Sequence, residues 1–526
     1  MDKELIRKSL DERVQDEFEE RVEVQAEHLR QEMKDGHLDS DDYVIGLELE
    51  VYGVDGDYRL TDLPDDIYDG SITKELGIHN AEINTSPELL SEDGLETKKH
   101  QIREALDYIQ NDFDEVQLVL DSFWTIPPGQ GSYEYFSEVY DMGDLSLAAN
   151  MRDLPRYASM DNYIRELNDQ YDLTLPGFNG EFPSLIFESL ATSMQPHLQI
   201  PDTDQFHIYF NTAVRTMGPV LALTTNSPFL PYDMYPEPLD FEDLDRTYHE
   251  IRIPVFDQAM NAYRHYDKKK LRFPKDMEHA SDFLDRVVED ISYSPFLREW
   301  LEEELELNEE ELQLDDGVDV EDLGGVADYV STFWEFDHKR TTYWRWVRPV
   351  IGVHPEEPEE SDKRGSIRIE YRPIPTQPGL EDVVSAQALT SGLLIGLVEN
   401  DHPLHEMGWS EAKMSFYNAV EDGIDAHLFW LDEDGNETTD EEVIFEEVFR
   451  YARKGLESLG IDREYAEKIL EPVEERWREK MTPSKWKIGR VRKHMTEGES
   501  FEDAVIEMQE EYIDLQAEND SFADWI

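Results

Sequence analysis

Residues 365–373, GSIRIEYRP, alternate between apolar and charged side chains. In an extended chain successive side chains point to opposite faces, so Ile367, Ile369 and Tyr371 share one face and Arg368, Glu370 and Arg372 the other. Three other segments repeat the pattern. In VIGLELEV (44–51), Ile45, Leu47, Leu49 and Val51 oppose Glu48 and Glu50. In HNAEINTS (79–86), Ala81 and Ile83 oppose Asn80, Glu82, Asn84 and Ser86. In MQPHLQIP (194–201), Leu198 and Ile200 oppose Gln195, His197 and Gln199. A strand that covers a core on one side and a reaction centre on the other reads this way.

Each segment alone has a plainer explanation. Glu48 and Glu50 fit a solvated strand face, His197 a hydrogen-bonded structural histidine, and Arg368-Glu370-Arg372 a surface ladder of ion pairs. Together they point to chemistry. Glutamates and a histidine without thiols suit magnesium or manganese, which favour oxygen donors. Arginines beside a metal-binding glutamate suit a polyphosphate, because guanidinium grips oxyanions through two parallel hydrogen bonds. The composite predicts a metal–nucleotide site floored by an antiparallel sheet.

Composition sets the frame. The 526 residues hold 122 Asp and Glu against 48 Lys and Arg, a formal charge of −74. Disorder is one reading of such acidity, but 39% hydrophobic and 11% aromatic residues provide for a sizeable core. The acids spread along the whole length, as in a protein adapted to concentrated salt, where a Debye length of about 3 Å at 1 M screens their repulsion. An ordinary acidic cytosolic protein is the alternative. Nucleic acid is disfavoured as a partner, because the summed field repels phosphate. Zero cysteines exclude disulfides, thiolate metal sites and a cysteine nucleophile. The charged N-terminal stretch does not resemble a signal sequence, and the longest apolar runs, such as 388–398, are about half a membrane span. A soluble, cytoplasmic protein without membrane contact is the expectation.

Along the chain, an acidic helical segment is expected in residues 1–40. A catalytic unit follows over 41–425, with a helical acidic insertion at 240–330. A hairpin and a helical region occupy 426–526. A helix from Asp202 or Asp204 should end at Gly218-Pro219, and strand-like aromatic sequence should run from Ser331 to Val353. RHYDKKKLR (264–272) reads as a solvated helix end. The locally basic segment 476–494, with Trp477 and Trp486, reads as a helix pairing with the protein's own acids, or as an RNA-binding patch. No glycine-rich phosphate loop is present.

The order of GLELE (46–50), AEINTSPELL (81–90), QPHLQIPD (195–202), LALTTNSPF (221–229), TTYWRWVRPVIG (341–352) and GSIRIEYRPIPTQPGLEDVVSAQAL (365–389) resembles the glutamate–cysteine ligase family, which includes γ-glutamylcysteine synthetases and related carboxylate–amine ligases. The resemblance implies an α+β fold like the catalytic half of glutamine synthetase: a curved antiparallel sheet forming a funnel, with outer helices and helical additions. It implies metal ligands at Glu48, Glu50, Glu82, His197 and Glu370. It also implies ATP-phosphate contact by Arg372 and a substrate-side arginine at Arg348; on charge grounds Arg368 or Arg348 would assist Arg372 at the transferring phosphate. Arg252, Asn84 and Gln199 are further substrate-binding candidates. Two departures stand out: Gln199 replaces the second histidine of an H-x-H strand, and the segment after NSPF lacks the family's serine- and arginine-containing pattern.

The expected reaction is ATP- and magnesium- (or manganese-) dependent amide formation through an acyl phosphate. It would join an amino acid, with glutamate's γ-carboxylate as the first candidate, to an amine such as cysteine. A metal-dependent hydrolase using the same Glu/His cluster and a catalytically silent nucleotide-binding relative are the alternatives.

Overall fold

The computed structural model describes residues 2–68, 71–113, 116–168, 170–261, 269–298, 300, 333–353 and 365–526. Its centre is an eight-stranded antiparallel sheet: β1 (Val44–Val54), β2 (Ile72–Lys74), β3 (Asn80–Asn84), β4 (Glu88–Leu89), β5 (Gln117–Val119), β6 (Met194–Gln199), β7 (Val347–Val353) and β8 (Gly365–Tyr371). The order is β7-β8-β6-β1-β3-β2, with β4 and β5 also pairing to β1. The four alternating segments are therefore β1, β3, β6 and β8, and three of them, β8, β6 and β1, are consecutive neighbours with β3 next.

Register decides which side chains meet. Glu50 pairs with Glu82 and Glu48 with both Asn84 and Gln195, while His197 pairs with Glu370, which also pairs with Arg348. Directly opposed residues share a face, so this pairing gathers the polar positions onto one side. On the other side Ile45, Leu47, Leu49, Val51, Leu198, Ile367 and Ile369 are buried. Each such aliphatic side chain contributes about 1.5–3 kcal/mol by leaving water. Helices Phe206–Thr224 and Leu380–Glu399 pack behind the sheet. The second is long and apolar enough to cross a membrane, but 89% of its apolar window is buried inside the protein.

Two expectations are corrected. The helix starting at Phe206 runs through Gly218-Pro219 to Thr224. Interior proline costs a helix roughly 3 kcal/mol, yet this helix is buried on every side from Tyr209 onward, and Gly218 lets Ser415 approach so closely that a Cβ would lie 2.6 Å from the serine Cβ. Packing overrides the break. The aromatic stretch expected as strand forms a helix, Trp334–Thr341, before β7. There Trp334 stacks on His338 one turn later, with ring centroids 5.2 Å apart.

At the N-terminus, Asp11 caps a helix over Glu12–Lys34 whose Phe18, Val22, Ala26, Leu29 and Met33 join the same continuous apolar core as the C-terminal helices. Trp430–Leu431 and Glu437–Thr438 form a short hairpin around Gly435 (φ 80°). The acidic run 301–332 and the Glu-rich segment 354–364 lie outside the described residues, as do residues 264–268 of RHYDKKKLR. Lys270 from that run is not solvated but buried, 2.8 Å from Asp290.

The basic segment 476–494 is turned towards the protein's own acids. Arg476 meets Asp382 at 2.8 Å with both side chains fully buried, and Lys487 meets buried Asp121. Lys480 pairs with Glu441, Lys485 with Asp425, Arg490 with Glu511 and Arg492 with Asp245. Trp486 is buried. NSPF is likewise structural: Asn226 N–H and Ser227 Oγ donate to Glu250, and Asn226 Nδ2 donates to the Thr376 carbonyl.

Candidate active site

The polar face of the sheet floors a cavity of about 310 Å³. Glu48 and Glu50 from β1, Glu82 from β3, Gln195 and His197 from β6, Arg348 from β7, and Arg368, Glu370 and Arg372 at β8 all line it. All five predicted ligand positions and three of the four predicted arginines, Arg348, Arg368 and Arg372, therefore converge.

The acidic side chains divide into two groups. In the first, one ligand atom each of Glu48, His197 and Glu370 lies within 4.8 Å of the others. His197 Nε2 is 3.3 Å from Glu48 Oε1 and, though buried, has no hydrogen-bond partner. Its Nδ1 accepts from Arg368 Nε at 2.9 Å, which presents Nε2 towards the carboxylates. Arg348 Nε donates to both oxygens of Glu370, at 2.8 and 2.9 Å, and Arg372 Nη1 donates to Glu370 Oε1 at 2.6 Å. Burial would raise the Glu370 carboxyl, but the two guanidinium groups hold it well below the ordinary range. Burial also opposes ionisation of Glu48, and His197 outweighs it, so that group too lies low.

In the second group, Glu50, Glu75 and Glu82 approach one another equally closely. Glu50 is fixed by Ser193 N–H (2.6 Å), Ser193 Oγ (3.1 Å) and Gln195 Nε2 (2.9 Å), and Asn84 Nδ2 donates to Glu82 at 2.9 Å. Here the shifts reverse. Burial, with repulsion from Glu75, pushes Glu50 up to about 7. Burial followed by repulsion from Glu48, Glu75 and Glu50 raises Glu82 well above its usual value, and burial raises Glu75. Carboxylates crowded together without enough positive charge are relieved by a divalent cation. The oxygen donors of both groups fit magnesium or manganese. While Nδ1 accepts from Arg368, a neutral His197 carries its proton on Nε2 and faces Glu48 as a donor, so it can ligate an ion only once Arg368 releases Nδ1.

The remaining predicted positions lie at the margins. Asn84 and Gln199 line an adjoining recess of about 610 Å³ that shares Glu48, His197 and Arg368 with the main cavity. Gln199 donates to the Asp42 carbonyl at 3.4 Å, so the Glu48–His197–Glu370 group is complete without it. Arg252 does not line the cavity. It is buried, donates to the carbonyls of Arg372 (3.1 Å) and Pro373 (2.6 Å), and lies over the Trp346 ring, so it props the end of β8.

Sequence reasoning missed Glu75, Glu188, Arg156 and Tyr157, all in the cavity wall. Glu75 follows β2, a strand of only three residues. Its neighbour on β3, Glu82, is the one available signal. Arg156 and Tyr157 come from the helix Pro155–Leu167, and Glu188 from the turn Leu185–Leu190. Trp344, in the core, also forms part of the wall.

The sequence matches the family model described as glutamate–cysteine ligase family 2 over residues 44–514. Two solved structures are similar. Glutamate–cysteine ligase from Francisella tularensis in complex with AMP has 12% identity and a TM-score of 0.48, with 92% of this chain and 90% of that one covered. A bifunctional glutathione synthetase from Pasteurella multocida has 14% identity and a TM-score of 0.46, with 93% of this chain covering 54% of that one. No curated protein sequence matches the chain.

Proposed function

The chain belongs to glutamate–cysteine ligase family 2, and on that premise we propose that it joins a carboxylate to an amine at the expense of ATP. Glutamate, through its γ-carboxylate, is the first candidate acid and cysteine the first candidate amine. The observation that carries this reading is the convergence of two metal-competent groups, Glu48–His197–Glu370 and Glu50–Glu75–Glu82, on one sheet face with Arg348, Arg368 and Arg372 around them. That face is the floor of the proposed funnel, and residues 41–425 form the proposed catalytic unit of a salt-adapted cytoplasmic enzyme.

The acid's carboxylate attacks the γ-phosphorus, the bond to the bridging oxygen breaks and ADP leaves; the amine then attacks the acyl carbon and expels phosphate. Magnesium or manganese, held by the two groups, supplies charge neutralisation for the phosphate oxygens. The chain's own residues supply orientation and further charge. Arg372 is anchored through Nη1 to Glu370 and Gln195, while its Nε is buried without a hydrogen-bond partner, a donor suited to an oxyanion. Arg348 is held by Glu370 and by the carbonyls of Arg340 and Thr341, which fixes its position beside the reacting groups. Arg368 orients His197.

The test is ADP and phosphate release in concentrated potassium chloride with magnesium-ATP, crossing amino acids with amines. Release stimulated by glutamate plus cysteine is expected. Turnover without ATP would replace the reading with a hydrolase, and no stimulation by any pair would leave a silent relative.

A further inference from the structure

The last two long helices, Pro483–Glu497 and Phe501–Glu518, meet at a cluster that the ligase reading leaves unused. His494, on the final turn of the first helix, is 5% exposed, and neither ring nitrogen has a hydrogen-bond partner. Nδ1 lies 3.0 Å from a Glu507 oxygen and 3.4 Å from Glu499 Oε2; Nε2 lies 3.3 Å from a Glu511 oxygen. Glu499 Oε2 is also buried without a hydrogen-bond partner. One ligand atom each of His494, Glu497 and Glu499 falls within 4.8 Å of the others.

The donors and acceptors here do not match. An ionised carboxylate only accepts hydrogen bonds, and a neutral imidazole offers one donor and one lone pair, so a neutral His494 turns a lone pair to carboxylate oxygen. An imidazolium would offer two donors, yet neither ring nitrogen makes a hydrogen bond to the carboxylates 3.0–3.4 Å away. Charge compounds the mismatch. Glu497 and Glu499 flank Gly498, the left-handed C-cap, at the helix end where exposed carbonyls already make the potential negative. Of the nearby cations, Arg490 is paired with Glu511 at 3.3 Å. A cation that accepts both nitrogen and oxygen donors resolves both problems at once.

We propose that His494, Glu497, Glu499 and Glu507 bind a divalent transition-metal ion, of the zinc, cobalt or manganese type, at a site separate from the active-site ligands. The imidazole donor favours such ions over magnesium. Metal–ligand bonds of about 2.0–2.2 Å place donors within roughly 3–4.4 Å of each other, so small side-chain rotations close the observed group around an ion. Glu499 lies in the turn and Glu507 on the second helix, so the ion clasps the two helices together.

The test uses the full-length protein in concentrated potassium chloride, with cobalt(II) as probe in equilibrium dialysis and visible absorption. His494→Gln is expected to lose one bound equivalent, and the cobalt-induced rise in melting temperature tied to it, with ADP release unchanged. The same number of ions held with the same affinity in His494→Gln would overturn the proposal. So would loss of every cobalt equivalent on Glu48→Gln/Glu82→Gln. If His494→Gln does not fold, Glu497→Gln/Glu499→Gln replaces it: at least a tenfold weakening of one equivalent is expected, and unchanged affinity overturns the site.

Discussion

Replacing Arg476 with methionine should destabilise the protein far more than its position in a basic, apparently superficial segment suggests. Arg476 is fully buried and donates to Asp382 Oδ1 (2.8 Å), Gln377 Oε1 (2.6 Å) and the Leu223 carbonyl (3.2 Å). Without it, the equally buried Asp382 keeps one amide donor, Phe522 N–H at 2.7 Å. Removing one partner of a buried ion pair costs about 3–5 kcal/mol, because the other charge stays desolvated. That is about two to nearly four powers of ten in the folding equilibrium. Burial raises the Asp382 carboxyl even beside Arg476, so in Arg476→Met the folded state takes up a proton more readily than the unfolded chain. Its stability must therefore rise, relative to wild type, as pH falls from about 8 to about 5. Asp382→Asn in the same background should recover much of the loss. The assay is urea unfolding in concentrated potassium chloride across that range. A loss below about 1 kcal/mol, or a deficit that does not shrink on acidification, would refute the argument.

Glu370→Gln keeps the shape of the site but removes the charge that holds Arg348 and Arg372, so product formation should fall by about a hundredfold or more with the circular dichroism unchanged; near-normal turnover sinks the assignment. Glu75→Gln should raise the manganese concentration needed for half-maximal activity by roughly tenfold or more, read from a metal titration; an unchanged requirement removes Glu75 from the ligand set. His79 is buried between Tyr135 OH (2.9 Å) and the Ser189 carbonyl (3.3 Å), and burial lowers it to about 3. The unfolded chain takes up that proton near pH 6.5 and the folded one does not, so stability should fall by up to about 1.4 kcal/mol per pH unit below that point. His79→Gln should remove this component of the slope, measured as urea midpoints at successive pH values.

Much of the site was legible because a strand has period two. Once Glu370 is placed on a face, Arg368 and Arg372 follow, and four segments with the same alternation can only bury their apolar sides by pairing into one sheet. The legible residues are those whose facing is set by their immediate neighbours. Glu75, Glu188 and Arg156 reach the cavity through tertiary packing from a three-residue strand, a tight turn and a helix end, and among 122 acids nothing local distinguishes the two glutamates. The errors at Pro219 and Trp334 have the same origin. Local signals there favoured a break and a strand, and burial between helices decided otherwise.

The inward turn of the basic side chains also bears on how fast a nucleotide can arrive. Arg476 and Lys487 are fully buried, and Lys480, Lys485, Arg490 and Arg492 are each held by a carboxylate, so the C-terminal face offers an approaching anion little attraction. At low ionic strength, diffusive encounter with the proposed nucleotide substrate is opposed by long-range repulsion, which added salt shortens. The association rate constant for the nucleotide should therefore climb with ionic strength, opposite to the trend for enzymes that steer their substrates by attraction.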